Sequence, residues 1–201
     1  MAGRGTSKQA LNIVDRPLSK SKEVPTVSLS AFAYLFSELI QYAMDRASST
    51  TDLEERLDKV GHAVGMRVLE LLSYREKLVR RKPEILDMLR YIHSTAWPYM
   101  FGKNADDLQQ AAAADDEYMI SDYDLLVNRY ISVPKTYGSF NPGAVVAGIV
   151  RGMLEAAGFP ARVSAHFVEH RDRPKPITTV LIKFDASVMQ RQSYLDGLKK
   201  G

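Results

Sequence analysis

The chain has 201 residues, 45% hydrophobic and 25% charged, enough for one domain with a real core and too apolar for a wholly disordered chain. It contains no cysteine, which excludes disulfides, thiolate metal sites and a thiol nucleophile. The formal charge of +3 arises entirely within residues 1–27, where five basic residues face Asp15 and Glu23, so the remaining body is neutral.

Such a body offers no electrostatic footprint for nucleic acid, and the expectation is no nucleic-acid partner. Residues 1–27 read as a flexible basic N-terminal tail, of a composition usual for a solvated arm, and 28–201 as a single domain. The N-terminus lacks the apolar segment of a secretory signal, and no apolar run reaches the roughly 20 residues that span a bilayer. A soluble intracellular protein is expected.

A first helix is predicted from Ser28 to about Ala47. Thr51-Asp52-Leu53-Glu54 reads as a capping box opening a second helix, with Leu53, Leu57, Val60, Val64, Val68 and Leu71 in one apolar stripe. That helix is expected to end near Leu78, before Arg80-Arg81-Lys82, whose charges suit a helix C-terminus. Pro83 is placed at the first turn of a third helix, which should end or kink near Trp97-Pro98.

The segment from Asn104 to Asp116, with alanine at 111–114, reads as a short helix or a surface loop. Strand-like pieces follow at Tyr118–Ile120 and Val127–Val133. Asn141-Pro142 caps a helix using Val145, Val146, Ile149, Met153 and Leu154 and stopping at Gly158. Strands are predicted over Arg162–Val168 and Thr178–Phe184, joined by a polar hairpin loop, and a final helix over Ala186–Leu198. Helices first and strands later give an α+β class with an antiparallel sheet.

No catalytic constellation emerges. His166-Phe167-Val168-Glu169-His170 fits the H-x-x-E-H zinc pattern by letter, but that chemistry needs both histidines on one helical face. Here the alternation predicts a strand, on which positions i and i+4 lie roughly 13 Å apart, too far for one metal. His62 and His93 are single helical histidines. Phosphate-binding glycine loops and a G-x-S-x-G elbow are absent. The expectation is no enzyme activity, no metal and no cofactor.

The first helix is anomalous. Ser30, Tyr34, Ser37, Glu38, Gln41 and Asp45 gather in a sector about 100° wide, and apolar residues and Tyr42 cover an arc of roughly 220°. Either the helix is central to its own domain, or it packs on its core and on a second subunit together. Gly61 and Gly65, one turn apart, would admit a close approach beside it. Gly143, Gly148 and Gly152 also point to close packing or a bend.

Val27-Ser28-Leu29-Ser30-Ala31-Phe32 with Phe36-Ser37-Glu38-Leu39, and Trp97 followed by Phe101-Gly102-Lys103-Asn104-Ala105-Asp106, resemble the small subunits of the transport protein particle, TRAPP. Tyr130-Ile131-Ser132-Val133-Pro134-Lys135, Ala147-Gly148-Ile149-Val150, Gly158-Phe159-Pro160-Ala161, Val163, Ala165-His166 and Leu181-Ile182-Lys183-Phe184 extend the resemblance over about residues 27–195. It implies a two-layer fold, a helical layer on a twisted antiparallel sheet. It also implies pairing of subunits through the first two helices. The interface is accordingly expected at Phe32, Leu35, Phe36, Leu39, Tyr42, Leu53, Leu57, Gly61 and Gly65.

The particle so implied tethers vesicles and acts as a guanine-nucleotide exchange factor for a Rab-type GTPase between endoplasmic reticulum and Golgi. The chain would be a non-catalytic scaffold joining the acylated paralogue to the adaptor subunit, peripheral at endoplasmic reticulum and cis-Golgi membranes through the complex. The acylated paralogue uses a cysteine that this chain lacks, so a buried acyl group is not implied. A small-ligand sensor, holding an apolar ligand between helices and sheet, is the alternative.

Overall fold

The computed structural model describes residues 26–76, 82–112, 114–169 and 174–199. The expected tail therefore lies outside the described residues except for Thr26 and Val27, as do Leu78, Arg80, Arg81, His170 and residues 171–173 of the predicted hairpin loop.

The helical layer begins with α1 (Leu29–Met44) and α2 (Thr50–Glu76). Ser28 caps α1, its hydroxyl accepting from the Ala31 N–H. The box that opens α2 sits two residues earlier than expected. Ser49 Oγ accepts from the Asp52 N–H at 3.1 Å, and the Asp52 carboxylate reaches back to the Ser48 N–H at 2.9 Å. Asp52 also takes Arg56 one turn on, and these bonds to its charged form hold its carboxyl below the usual range, the Ser48 N–H contributing most.

The third helix, α3 (Ile85–Tyr91), starts two residues after Pro83, with Glu84 as its N-cap. Its first N–H, on Ile85, donates to Gln192 Oε1 at 3.1 Å, so a distant side chain closes an end that the local sequence leaves open. The break expected at Trp97-Pro98 is absorbed rather than enforced. Pro98 has no N–H, and the backbone widens into a π turn at Ile92–Ala96 immediately before α4 (Trp97–Phe101). Gly102, at φ 75°, then ends the helix in the left-handed region.

The 104–116 segment is neither helix nor plain loop: it holds β1 (Asp107–Gln110), hairpinned to β2 (Glu117–Asp122). Gln109 and Gln110 are exposed, so this edge strand has no inward apolar alternation to reveal it. The strand expected over Val127–Val133 is also corrected, to a single 3₁₀ turn at Leu126–Asn128 and an irregular strap. Asn128 there donates from Nδ2 to Thr178 Oγ1 at 2.7 Å, a side-chain anchor in place of strand pairing.

Helix α5 (Ala144–Ala156) follows, with Asn141 Oδ1 accepting from the Gly143 N–H at 2.7 Å just upstream. Gly158, at φ 83°, ends it as expected. Strands β3 (Ala161–Val168) and β4 (Ile177–Phe184) and helix α6 (Ala186–Lys199) complete the chain close to their predicted bounds.

The sheet order is β1-β2-β4-β3, antiparallel throughout. Register aligns Ile120 with Val180, Tyr118 with Ile182, and Val163 with Ile182, so one face gathers the apolar side chains. On it lie buried Tyr118, Ile120, Val163, Val180, Ile182 and Phe184, which share the core with α2, α3 and α5. The expected α+β class, helices layered on an antiparallel sheet, is the observed one.

Candidate subunit interface

Helix α1 buries only a narrow stripe. Phe36, Ile40 and Ala43 are buried, and Phe32 and Leu39 are half-buried beside them. Phe32 stacks on Phe36 with centroids 5.8 Å apart, extending the stripe by one turn. The expected arc is thus divided. Leu35 is 71% exposed and Tyr42 55% exposed, the latter covered on one face by the Arg46 guanidinium at 3.7 Å. Leu35 and Tyr42, seven residues apart, share one outer line of the helix.

Helix α2 divides similarly. Leu53 and Leu57 are fully interior, so their place is the chain's own core and they support α1 from beneath. Val60 and Val64, one turn apart, are 41% and 42% exposed despite lying in the same sequence stripe. Met66 and Tyr74 are exposed as well. The stripe was legible as apolar; what sequence could not divide was which of its members meet the core.

The two glycines are reassigned. A Cβ on Gly61 would lie 2.0 Å from the Val145 carbonyl oxygen, and one on Gly65 would lie 2.0 Å from that of Ile149. The neighbour they admit is therefore α5, not α1 or another subunit. Helix α5 reciprocates, with Gly148 against the Asp58 carbonyl and Gly152 against that of His62, each at 2.2 Å from the ideal Cβ position. Two G-x-x-x-G pairs thus cross backbone to backbone. Bonds at the crossing's margins fix its register: Arg151 donates to both Asp58 oxygens, and His62 Nε2 lies 2.6 Å from Glu155 Oε2.

The FGKNAD segment builds a buried polar knot. Asp122, 1% exposed, accepts from Trp97 Nε1 at 2.9 Å and from Lys103 Nζ at 2.6 Å. Burial disfavours the Lys103 ammonium, but Asp122 and Asp106 outweigh it and raise its pKa above the ordinary value. Asp106 also accepts from the Tyr123 N–H, so the knot ties α4, the turn after it and the end of β2 together. Each carboxylate is taken up by donors, which is structural chemistry.

His166 lies on β3, its Nε2 2.8 Å from Ser164 Oγ, on the strand that the alternation predicted. Among the described residues no cluster of three potential metal ligands occurs, and no helix is long and apolar enough to cross a membrane. The cleft where α2 and α5 meet β3 has a volume of about 510 Å³ and is rimmed by Glu54, Glu55, Asp58, Arg151 and Arg162.

The first two helices thus carry a bare apolar line, Leu35 and Tyr42 on α1 and Val60 and Val64 on α2. The sequence profile of the family described as Transport protein particle (TRAPP) component matches residues 32–185, and the chain belongs to that family. It is 49% identical to trafficking protein particle complex subunit 5 of Dictyostelium discoideum, over 93% of this chain and 100% of that one. With the subunit 5 of Gallus gallus it shares 40% identity over 92% of this chain and 94% of that one. A trafficking protein particle complex subunit 3 from Naegleria fowleri, solved covalently bound to palmitic acid, shares the fold with TM-score 0.63 at 16% identity. The match covers 78% of this chain and 95% of that one.

Proposed function

We propose that this chain is a non-catalytic scaffold subunit of a TRAPP particle, with other small TRAPP subunits as its direct partners. The observation that carries this reading is the exposure of Leu35, Tyr42, Val60 and Val64 on the two helices that the family resemblance assigns to subunit pairing. Each large apolar side chain left in water forgoes about 1.5–3 kcal/mol that burial would return, and a row of them favours a protein partner.

Within that reading the chain joins the acylated paralogue to the adaptor subunit. It contributes to Rab exchange and to peripheral contact with endoplasmic reticulum and cis-Golgi membranes only through the assembled particle. The subunit 5 relatives support the role in trafficking, and the resemblance supplies the exchange activity and the location. On this reading the partner surface is the outer line of α1. Leu35 and Tyr42 face outward, Phe32 and Leu39 border them, and Phe36, Leu53, Leu57, Gly61 and Gly65 hold the platform from inside.

The test is co-purification of the tagged chain from its native cytosol. Wild type is expected to bring small TRAPP subunits in stoichiometric amounts, and Leu35→Asp to lose them while remaining folded. Full assembly by a folded Leu35→Asp protein contradicts the interface, and wild type that purifies alone contradicts the scaffold reading.

A further inference from the structure

A cleft of about 690 Å³ opens where the start of α3, the turn between β1 and β2, and α6 come together, and no residue of α1 or α2 lines it. Two exposed carboxylates flank it, Asp115 from the turn and Asp196 from α6. Among the described residues no basic side chain pairs with either. The cation closest to Asp115 in the sheet, Lys183, is already committed to Asp116 and Glu117. Gln192 braces the α6 wall: its Oε1 accepts from the Ile85 N–H, and its Nε2 donates to Asp196 Oδ1 at 3.0 Å. Asp196 Oδ2 is left with no donor among the described residues.

The most buried polar residue of the lining is Tyr118, 6% exposed, with its ring edge-on to Phe184 at 5.7 Å. Its hydroxyl makes no hydrogen bond with a described residue, although the side chain lines the cleft. A hydroxyl in so buried a position calls for a partner from outside the fold. Burial, and then the charges of Asp115 and Asp196, raise the Tyr118 pKa, so a neutral hydroxyl stands beside both carboxylates. The remaining walls are apolar: buried Ile85, Met189, and Leu86, which is 44% exposed at the mouth.

Carboxylates of one sign, a hydroxyl able to accept, and apolar walls fit a cationic head on an aliphatic stem. A bare metal ion fits less well, since no three potential ligands converge among the described residues. A guanidinium carries five N–H donors in one plane, enough to serve two carboxylates and a hydroxyl together, where an ammonium has three. We propose that this cleft seats an arginine side chain of a partner protein, its guanidinium between Asp115 and Asp196 and against the Tyr118 hydroxyl, its stem along Leu86 and Met189. That the arginine comes from a protein rests on the scaffold reading; the cation site itself does not.

The test uses the full-length protein, with acetyl-Gly-Arg-Gly-amide as probe and its uncharged citrulline isostere as control. Ring signals of isotope-labelled tyrosine, with Tyr118 assigned through Tyr118→Phe, report occupancy by NMR. The arginine peptide should shift Tyr118 saturably and the citrulline peptide should not. Asp115→Asn/Asp196→Asn should weaken binding about tenfold or more, the loss of a charge-assisted contact, with thermal unfolding unchanged. Asp115→Asn alone, at an exposed position, should already weaken it. No saturable shift, equal binding of the citrulline peptide, or binding that survives the double substitution overturns the proposal. Spermidine binding as tightly as the arginine peptide also overturns it, giving the cleft to free polyamines.

A photo-crosslinking residue in place of Leu86, in the tagged chain within native cytosol, tests the protein source. Cross-links should fall on a partner segment containing arginine and disappear in Asp115→Asn/Asp196→Asn. Cross-links that persist there, or that reach no discrete partner segment, overturn the assignment to a partner. Leu35→Asp should leave peptide binding unchanged, so failure at this cleft and failure of the α1 interface are read separately.

Discussion

Gly65 of α2 rests on the Ile149 carbonyl of α5 so closely that a methyl group in its place would lie 2.0 Å from the oxygen. Because Gly148 and Gly152 make the same approach from the other side, neither helix can retreat without separating both. Gly65→Ala is expected to cost about 3 kcal/mol or more, at or beyond the upper end for overpacking, since the obstacle is backbone. Gly61→Ala should behave alike, and Gly61→Ala with Gly148→Ala should cost less than their sum, because one helix displacement relieves both. Urea unfolding of the three variants measures this. In contrast, Gly197→Ala meets nothing within 4 Å and is expected to be neutral or slightly stabilising.

Removing the acceptor at the centre of the polar knot strands its donors. Asp122→Ala leaves the indole N–H of fully buried Trp97 without its partner and should destabilise by about 2–3 kcal/mol. Trp97 is the only tryptophan in the chain, so its emission reports the change directly. A red shift with lowered urea midpoint is expected, and an unaltered midpoint would show the knot to be dispensable.

Acid should weaken the opening of α2 and the loop after β2. Asp52 is held below its ordinary pKa by the Ser48 N–H and Arg56, and Asp124 by Arg129. A carboxyl whose folded pKa is depressed stabilises above its unfolded value and loses that contribution as pH falls through the folded value. Both contributions are therefore intact at pH 6 and lost progressively below about pH 4. Chemical unfolding across pH 6 to 3 should show a shallower decline in Asp52→Asn than in wild type, and equal slopes would contradict the assignment.

Core and interface substitutions should separate cleanly. Leu57→Ala removes a side chain with no exposure and should cost about 2–5 kcal/mol. Leu35→Asp touches a mostly exposed position and should change stability by no more than about 0.5 kcal/mol. Thermal melts of the purified chain check both, and a large loss from Leu35→Asp would place that residue inside the fold instead of on its surface.

The long helices and the β3–β4 hairpin were readable because their periodicities are strong and their ends carry Ser28, Gly158 and similar punctuation. Strand β1 was not, since an edge strand with Gln109 and Gln110 facing solvent has no apolar alternation and is stabilised by pairing with β2. The α2 cap was misplaced because Ser49 and Thr51 both carry the right chemistry, and only geometry chooses between them. On α1, helical spacing marks an over-wide apolar arc but cannot say that Phe36 turns inward while Leu35 turns out. The glycine spacing signalled a close helix crossing, and its partner lay some 85 residues away in sequence, beyond any local pattern.

The most direct measurement compares Leu35→Asp with wild type in two assays on the same tagged preparations: thermal unfolding of the purified chain, and co-purification of small TRAPP subunits from native cytosol. The account predicts an unchanged melt together with loss of the partner subunits. An unchanged melt with partners retained at full stoichiometry would contradict the claim that the outer line of α1 joins this chain to its particle.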